Sequence, residues 1–165
     1  WRVDRQKPER MVAQPGARNP QAVLFACGFN SVRSPMAASL LQQMFPQALY
    51  VRSAGVKKAE LDPFAVAVMA ELGQDISKHK PMTFEDLEDW EGLNFDLIIT
   101  LSPEAHHKAL ALTHTLAADV EYWPTPDPTT TEGSREQKLQ AYREVCDGLS
   151  LRIRRRFSKV GAASG

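Results

Sequence analysis

The sequence predicts an α/β domain in which helices cover both faces of a parallel sheet. Three observations point there. Short apolar runs alternate with segments whose apolar residues fall at helical spacing, a pattern that builds parallel sheets packed on both sides. The first run, residues 22–26, is apolar at every position, as a strand buried on both faces should be. The 165 residues also suffice for one sizeable core and are too few for two.

Residues 22–26 (Ala-Val-Leu-Phe-Ala) form the first predicted strand. Residues 35–45 follow as a helix carrying Met36, Leu40, Leu41, Met44 and Phe45 on one side. Residues 49–53 are a second strand. Asp62-Pro63 opens a helix through residue 72, with the aspartate as cap and the proline in the first turn, and Gly73 closes it. Residues 95–100 and 119–122 supply the third and fourth strands, with a helix over 103–112 between them. Ser134 with Gln137 reads as a capping box that starts a long helix reaching about residue 160. The basic, proline-bearing stretch 1–20 shows no apolar period and is read as a disordered or non-native leader. Residues 161–165 read as a flexible tail, so the folded domain is expected over 21–160.

Twenty basic and twenty acidic residues cancel, so no global charge draws the chain to nucleic acid or to a membrane surface. No apolar stretch approaches the length of a membrane span, and no signal peptide is visible. Cys27 and Cys146 lie far apart without metal-ligand spacing, so neither a disulfide framework nor a metal is expected, and a reducing cytoplasm is the expected setting.

The chemistry concentrates where the first strand meets the first helix: Cys27-Gly28-Phe29-Asn30-Ser31-Val32-Arg33-Ser34. A loop curled between a strand and a helix can turn its backbone N–H groups inward, and the helix N-terminus adds partial positive charge. Together they cradle a tetrahedral oxyanion without a metal. A cysteine in that field is favoured as thiolate. Arg33 offers a planar fork that matches two oxygens of a phosphate. Ser34 can donate to the thiolate. Gly28 and Asn30 are residue types that tolerate the unusual backbone angles of a tight loop. A cysteine six residues before an arginine arises by chance in roughly one chain in ten, and a buried structural cysteine is the ordinary alternative. The strand before, the serine after and the helix behind favour function.

Expelling an alkoxide or phenoxide calls for a general acid that later serves as base for water. The candidate is Asp127, between Pro126 and Pro128 in a loop expected at the same sheet edge as Cys27. Asp62, before Phe64, Val66 and Val68, reads as a helix cap; Asp127 precedes three threonines, a glutamate and Gly133, with no helix to cap. His106, His107 and His114 are assigned to one solvated helix without a metal site. Arg152, Arg154, Arg155 and Arg156 read as a solvated helix face.

Residues 27–35 with Met36-Ala37 resemble the low-molecular-weight protein tyrosine phosphatases and the related thiol-linked arsenate reductases. Arg52-Ser53-Ala54-Gly55, Gly73-Gln74-Asp75-Ile76-Ser77 with His79, Phe95-Asp96-Leu97-Ile98 and Asp127-Pro128 agree in order, so the likeness spans residues 22 to about 157. It implies a single-domain three-layer sandwich on a four-stranded parallel sheet, and a phosphate-binding loop over 28–34 (Gly28, Phe29, Asn30, Ser31, Val32, Arg33, Ser34). It also implies Cys27, Arg33 and Asp127 as catalytic residues, with Ser53 and His79 joining Asn30 in a supporting network. No cofactor is implied. The expected activity is hydrolysis of phosphate monoesters, phosphotyrosine among them, through a cysteinyl-phosphate.

Departures from the family pattern bear on substrate. Val32 replaces the phosphatase branch's second cysteine, and Thr129-Thr130 stand where aromatics would sandwich a phosphotyrosine. The short 56–61 loop and Trp123-Pro124 look like the reductase branch, yet Ser102 stands where its relay cysteine would fall. Two alternatives stay open: an arsenate reductase that uses Cys27 with an external thiol, and a non-catalytic module that binds phosphate, arsenate, sulfate or a phosphoprotein.

Overall fold

A computed structural model describes residues 20–158. The leader read over 1–20 falls almost wholly outside them, as do the tail over 161–165 and the end of the long helix at 160; Pro20, the first described residue, is buried.

Four strands form one all-parallel sheet: β1 (Ala22–Cys27), β2 (Tyr50–Gly55), β3 (Leu97–Thr100) and β4 (Asp119–Tyr122), in the order β2-β1-β3-β4. Among the described residues five α-helices accompany them: α1 (Arg33–Met44), α2 (Pro63–Glu71), α3 (Phe84–Glu91), α4 (Pro103–Leu112) and α5 (Arg135–Arg156). The period of two along β1 divides the core. Val23, Phe25 and Cys27 point into a cluster with residues of α1, α2 and α5 such as Met36, Val68 and Leu149. Leu24 and Ala26 point the other way, toward Phe84 and Leu87 of α3 and Ala105 of α4. Both sets are buried, which is why the run is apolar throughout. The three-layer α/β sandwich is thereby present.

Asp62 caps α2 by accepting from Phe64 N, with Pro63 in the first turn, and Ser134 with Gln137 forms the capping box of α5. Helix α3 is an element the sequence reading passed over. Its Thr83–Asp86 capping box was the available signal; five acidic residues in eight positions hid an apolar side made mainly of Phe84 and Leu87. His114 lies in the turn after α4 rather than on it. The arginine-rich end of α5 is not simply solvated either. Arg156 Nε donates to Glu121 at 2.7 Å, and the Arg152 guanidinium lies 5.2 Å from the centre of the Trp123 ring. No helix among the described residues is long and apolar enough to cross a membrane.

The chain leaves β1 to one side for β2 and returns past it to β3. Cys27, the last residue of β1, therefore stands at the carboxyl edge where the strand order reverses, the place at which such sheets bind ligands.

Candidate active site

The loop from Cys27 to Ser34 is held open from outside. The segment after β2 runs alongside it and donates to its carbonyls: Val56 N to Cys27 O (3.2 Å), Lys57 N to Gly28 O (2.9 Å), Ala59 N to Phe29 O (3.3 Å) and Asp62 N to Ser31 O (3.1 Å). With those carbonyls turned to the neighbouring segment, the loop's own N–H groups are donors in none of these bonds. Val32 stands at the N-cap of α1 and no side chain caps the helix, so its first-turn N–H groups remain available to an anion.

Close packing makes this apposition possible. A Cβ on Gly55 would lie 2.5 Å from Lys57 O, 2.8 Å from Asn30 N and 2.9 Å from Phe29 C, all backbone atoms. Only glycine fits there.

Asn30 holds the curl from within. It is fully buried and takes the left-handed conformation, with φ of 56°. Its Nδ2 donates to Ser34 Oγ and to Ser53 Oγ, each at 2.9 Å, while its Oδ1 accepts from Met82 N at 2.8 Å and bonds His79 Nε2 at 3.0 Å. Gly28 has no such role: its φ is not positive and a Cβ there would meet nothing within 4 Å. The tolerance the sequence reading divided between two residues rests on Asn30 alone.

At the base of the loop Cys27 Sγ lies 3.0 Å from Ser34 Oγ. Cys27 is only 2% exposed, so a reacting group must project down to it, whereas Phe29, 52% exposed, stands out into solvent. Arg33 reaches across the site, donating from Nη1 to Thr125 O at 2.9 Å. That bond joins the loop to the segment bearing Asp127. Asp127 does cap something: a single turn of 3-10 helix over Pro128–Thr130, contrary to the reading that no helix follows it. Thr129 N (3.0 Å) and Thr129 Oγ1 (2.7 Å) both donate to Asp127 Oδ1, which leaves Oδ2 as the carboxyl oxygen that Thr129 does not engage.

Two residues to which the sequence reading gave no place at the site border it. Tyr142 of α5 donates its hydroxyl to Asp62 Oδ2 at 2.6 Å. Burial, the Asp62 bond and the nearby Asp62 and Asp127 charges push its phenol well above the usual range, so it stays a donor. Phe64 packs edge-on against Tyr142 with ring centres 5.4 Å apart. Together with Ser31 and Thr129 they line one hollow beside the loop. Nothing in the sequence signals a tyrosine that lies 80 residues from its partner.

His79 is half-buried and its pKa is lowered by that burial, opposed by the bond to Asn30. Cys146 lies elsewhere, on α5, its sulfur 3.9 Å from Met69 Sδ. Burial, then the Asp147 charge, pushes its thiol up to about 11. Ser102, 1% exposed, is the N-cap of α4 and accepts from Ala105 N. Among the described residues no cluster of three or more His, Cys, Asp or Glu is placed to hold a metal.

The model of a family described as low molecular weight phosphotyrosine protein phosphatase matches residues 22–163. An arsenate reductase of Bacillus licheniformis is 34% identical over 143 residues, covering 86% of this chain and 97% of its own. Two solved structures share the fold. A low molecular weight protein tyrosine phosphatase from T. tengcongensis has a TM-score of 0.68 at 25% identity, over 84% of this chain and 99% of that one. An arsenate reductase in the phosphate binding state has a TM-score of 0.64 at 25% identity, over 85% and 98%.

Proposed function

The chain belongs to the low molecular weight phosphotyrosine protein phosphatase family, and from that footing we propose that it hydrolyses phosphate monoesters through a cysteinyl-phosphate on Cys27. The Cys27 thiolate attacks phosphorus in line with the ester oxygen. Loop N–H groups and the Arg33 guanidinium carry the equatorial oxygens as charge redistributes. Asp127 gives its proton to the departing oxygen as the P–O bond breaks. The resulting carboxylate then takes a proton from water, whose oxygen attacks phosphorus, and the thiolate leaves toward the Ser34 hydroxyl. Asn30, Ser53 and His79 shape the loop and do no chemistry. A reducing compartment such as the cytoplasm suits an unpaired nucleophilic thiol.

The observation that carries this reading over reduction by an internal thiol relay is the isolation of Cys27 from the chain's other thiol. Cys146 shares a hollow with Leu40, Gln43 and Met44, in the C-terminal half of α1. It is thus removed from the loop by roughly 10 Å of helix. Cys146 is also held as a thiol rather than a thiolate. No second thiol of this chain is placed to draw electrons through Cys27.

The names of the relatives favour a second reading. In it the Cys27 sulfur displaces a hydroxyl of arsenate, which leaves as water as the As–S bond forms, and an external thiol then attacks the Cys27 sulfur. Arsenite departs with the bonding electron pair, and a second external thiol clears the mixed disulfide. One paired assay separates the two. Hydrolysis of an aryl phosphate that vanadate blocks and Cys27→Ser abolishes supports the phosphatase. Arsenate reduction that depends on added thiol, without hydrolysis, supports the reductase. Oxyanion binding with neither turnover would overturn both and leave a binding module.

A further inference from the structure

We propose that the hollow on the far side of the phosphate loop, beside the free edge of β2, is a binding site for a small aromatic anion. Strand β2 is an edge strand of the sheet, and the segment leading to α3 passes its outer side before meeting it at Gly55 and Thr83. Between them lies a hollow of about 580 Å³, bordered by Arg52, Ser53, Lys78, His79, Lys80 and Trp90. That volume falls in the range of small-molecule pockets.

The charged residues that line it have one sign. Arg52, Lys78 and Lys80 contribute three cations and no carboxylate lines the hollow. Two acids lie nearby. Glu91 pairs with Arg52 at 3.3 Å, and Asp75, whose pKa is lowered chiefly by its bonds to Ser77 and least by Lys78, turns its carboxylate to Ser77 N. Among the described residues neither Lys78 nor Lys80 forms an ion pair. With Arg52 already paired to Glu91, Lys78 and Lys80 are the like charges that repel, and an anion between them relieves the repulsion.

The rim supplies the second half of the recognition. Trp90 is 73% exposed, the most exposed of the large hydrophobic side chains described. A bare inorganic ion would make no use of that face. A flat ring carrying a negative group does: the ring covers the indole while the head lies among the cations.

The floor links the hollow to the catalytic loop. Asn30 Oδ1 accepts from Met82 N, which fixes the orientation of the amide, so His79 Nε2 must be the donor in their 3.0 Å contact. A neutral His79 therefore keeps Nδ1 as an acceptor. The same Asn30 amide holds Ser34 beside Cys27. An occupant that moves His79 is felt at the nucleophile through three hydrogen bonds, by way of Asn30 and Ser34. The site stands independently of which reaction Cys27 performs.

The test uses the full chain with its phosphate loop filled by vanadate and naphthalene-1-sulfonate as probe, a ring whose anionic group a thiolate cannot displace as an ester. Binding is followed by 1H–15N NMR, with inorganic sulfate and neutral naphthalene-1-methanol as controls. The expected result is saturable shifts at residues 52, 78–80, 82 and 90 that carry into Asn30. Lys78→Glu with Lys80→Glu should weaken binding at least about tenfold and Trp90→Ala about fivefold; both alter exposed positions, so folding is checked by an unchanged spectrum elsewhere. Affinity unmoved by charge reversal, or shifts confined to residues 27–34, would overturn the site. Sulfate binding as tightly as the sulfonate would overturn the role given to Trp90.

Discussion

The two loops that meet over Cys27 are built to different standards. The loop 27–34 is over-determined: four carbonyls are pinned by the neighbouring segment, and one buried Asn30 side chain makes four hydrogen bonds at 2.8–3.0 Å. The loop bearing Asp127 is exposed. It is tied to the rest of the site by Arg33 to Thr125 O and by Thr125 N to Leu101 O, and it is ordered internally by Thr129. Under the proposed mechanism the difference follows from what each must do. An oxyanion cradle stabilises a transition state only if its dipoles are fixed before the reaction, since reorganisation would consume the gain. A general acid needs one oxygen near one leaving group, and its surroundings can vary with the substrate. On this account loop 27–34 sets the chemistry and the Asp127 loop sets the client.

That contrast can be attacked at the rigid side first. Gly55→Ala forces a methyl group into backbone atoms 2.5–2.9 Å away. It should remove most turnover and lower stability by about 1–3 kcal/mol, the usual cost of overpacking; activity within twofold of the parent would show that the pinned carbonyls do not matter. Asn30→Ala leaves several buried partners unsatisfied and puts a poorly suited residue at φ 56°. A loss of about 3 kcal/mol in urea unfolding is expected.

The softer side should respond in rate and not in stability. Asp127→Asn should slow hydrolysis of an alkyl phosphate by about 10²–10³-fold and of p-nitrophenyl phosphate by less, with melting unchanged. Equal losses on both substrates would count against the acid assignment. Thr129→Val removes the 2.7 Å bond to Asp127 Oδ1 and should cost about three- to tenfold in kcat with KM nearly constant.

The smallest effect is in pH. Burial depresses His79 from its ordinary 6.5, so the unfolded chain binds a proton more readily than the folded one. Stability is then greatest above about pH 6.5 and falls as pH drops through the folded value. Urea unfolding of His79→Gln should show a shallower acid-side decline between pH 7 and 5.

How much of this was legible in the sequence follows the same division. The cradle is contiguous, so residues 27–34 could be read in line, and Asp62 and Ser134 announced their helices through contacts three residues long or less. What pins the cradle was not legible: the bonds from Val56, Lys57, Ala59 and Asp62 are made by backbone and leave no residue-type signature beyond Gly55. Tyr142 was silent because its partner lies across the fold. The turn after Asp127 was missed because three threonines are weak helix formers, and a three-residue 3-10 turn needs only the aspartate cap and Pro128 to form.

The central claim is that Cys27 takes up the phosphoryl group covalently, and the most direct measurement is rapid quenching of Asp127→Asn with p-nitrophenyl phosphate followed by mass spectrometry of the peptide containing Cys27. With a leaving group that needs little protonation and no base to activate water, the account predicts phosphorylated Cys27 accumulating toward one per chain. An unmodified Cys27 while p-nitrophenol is released, or phosphate carried on another residue, would contradict it.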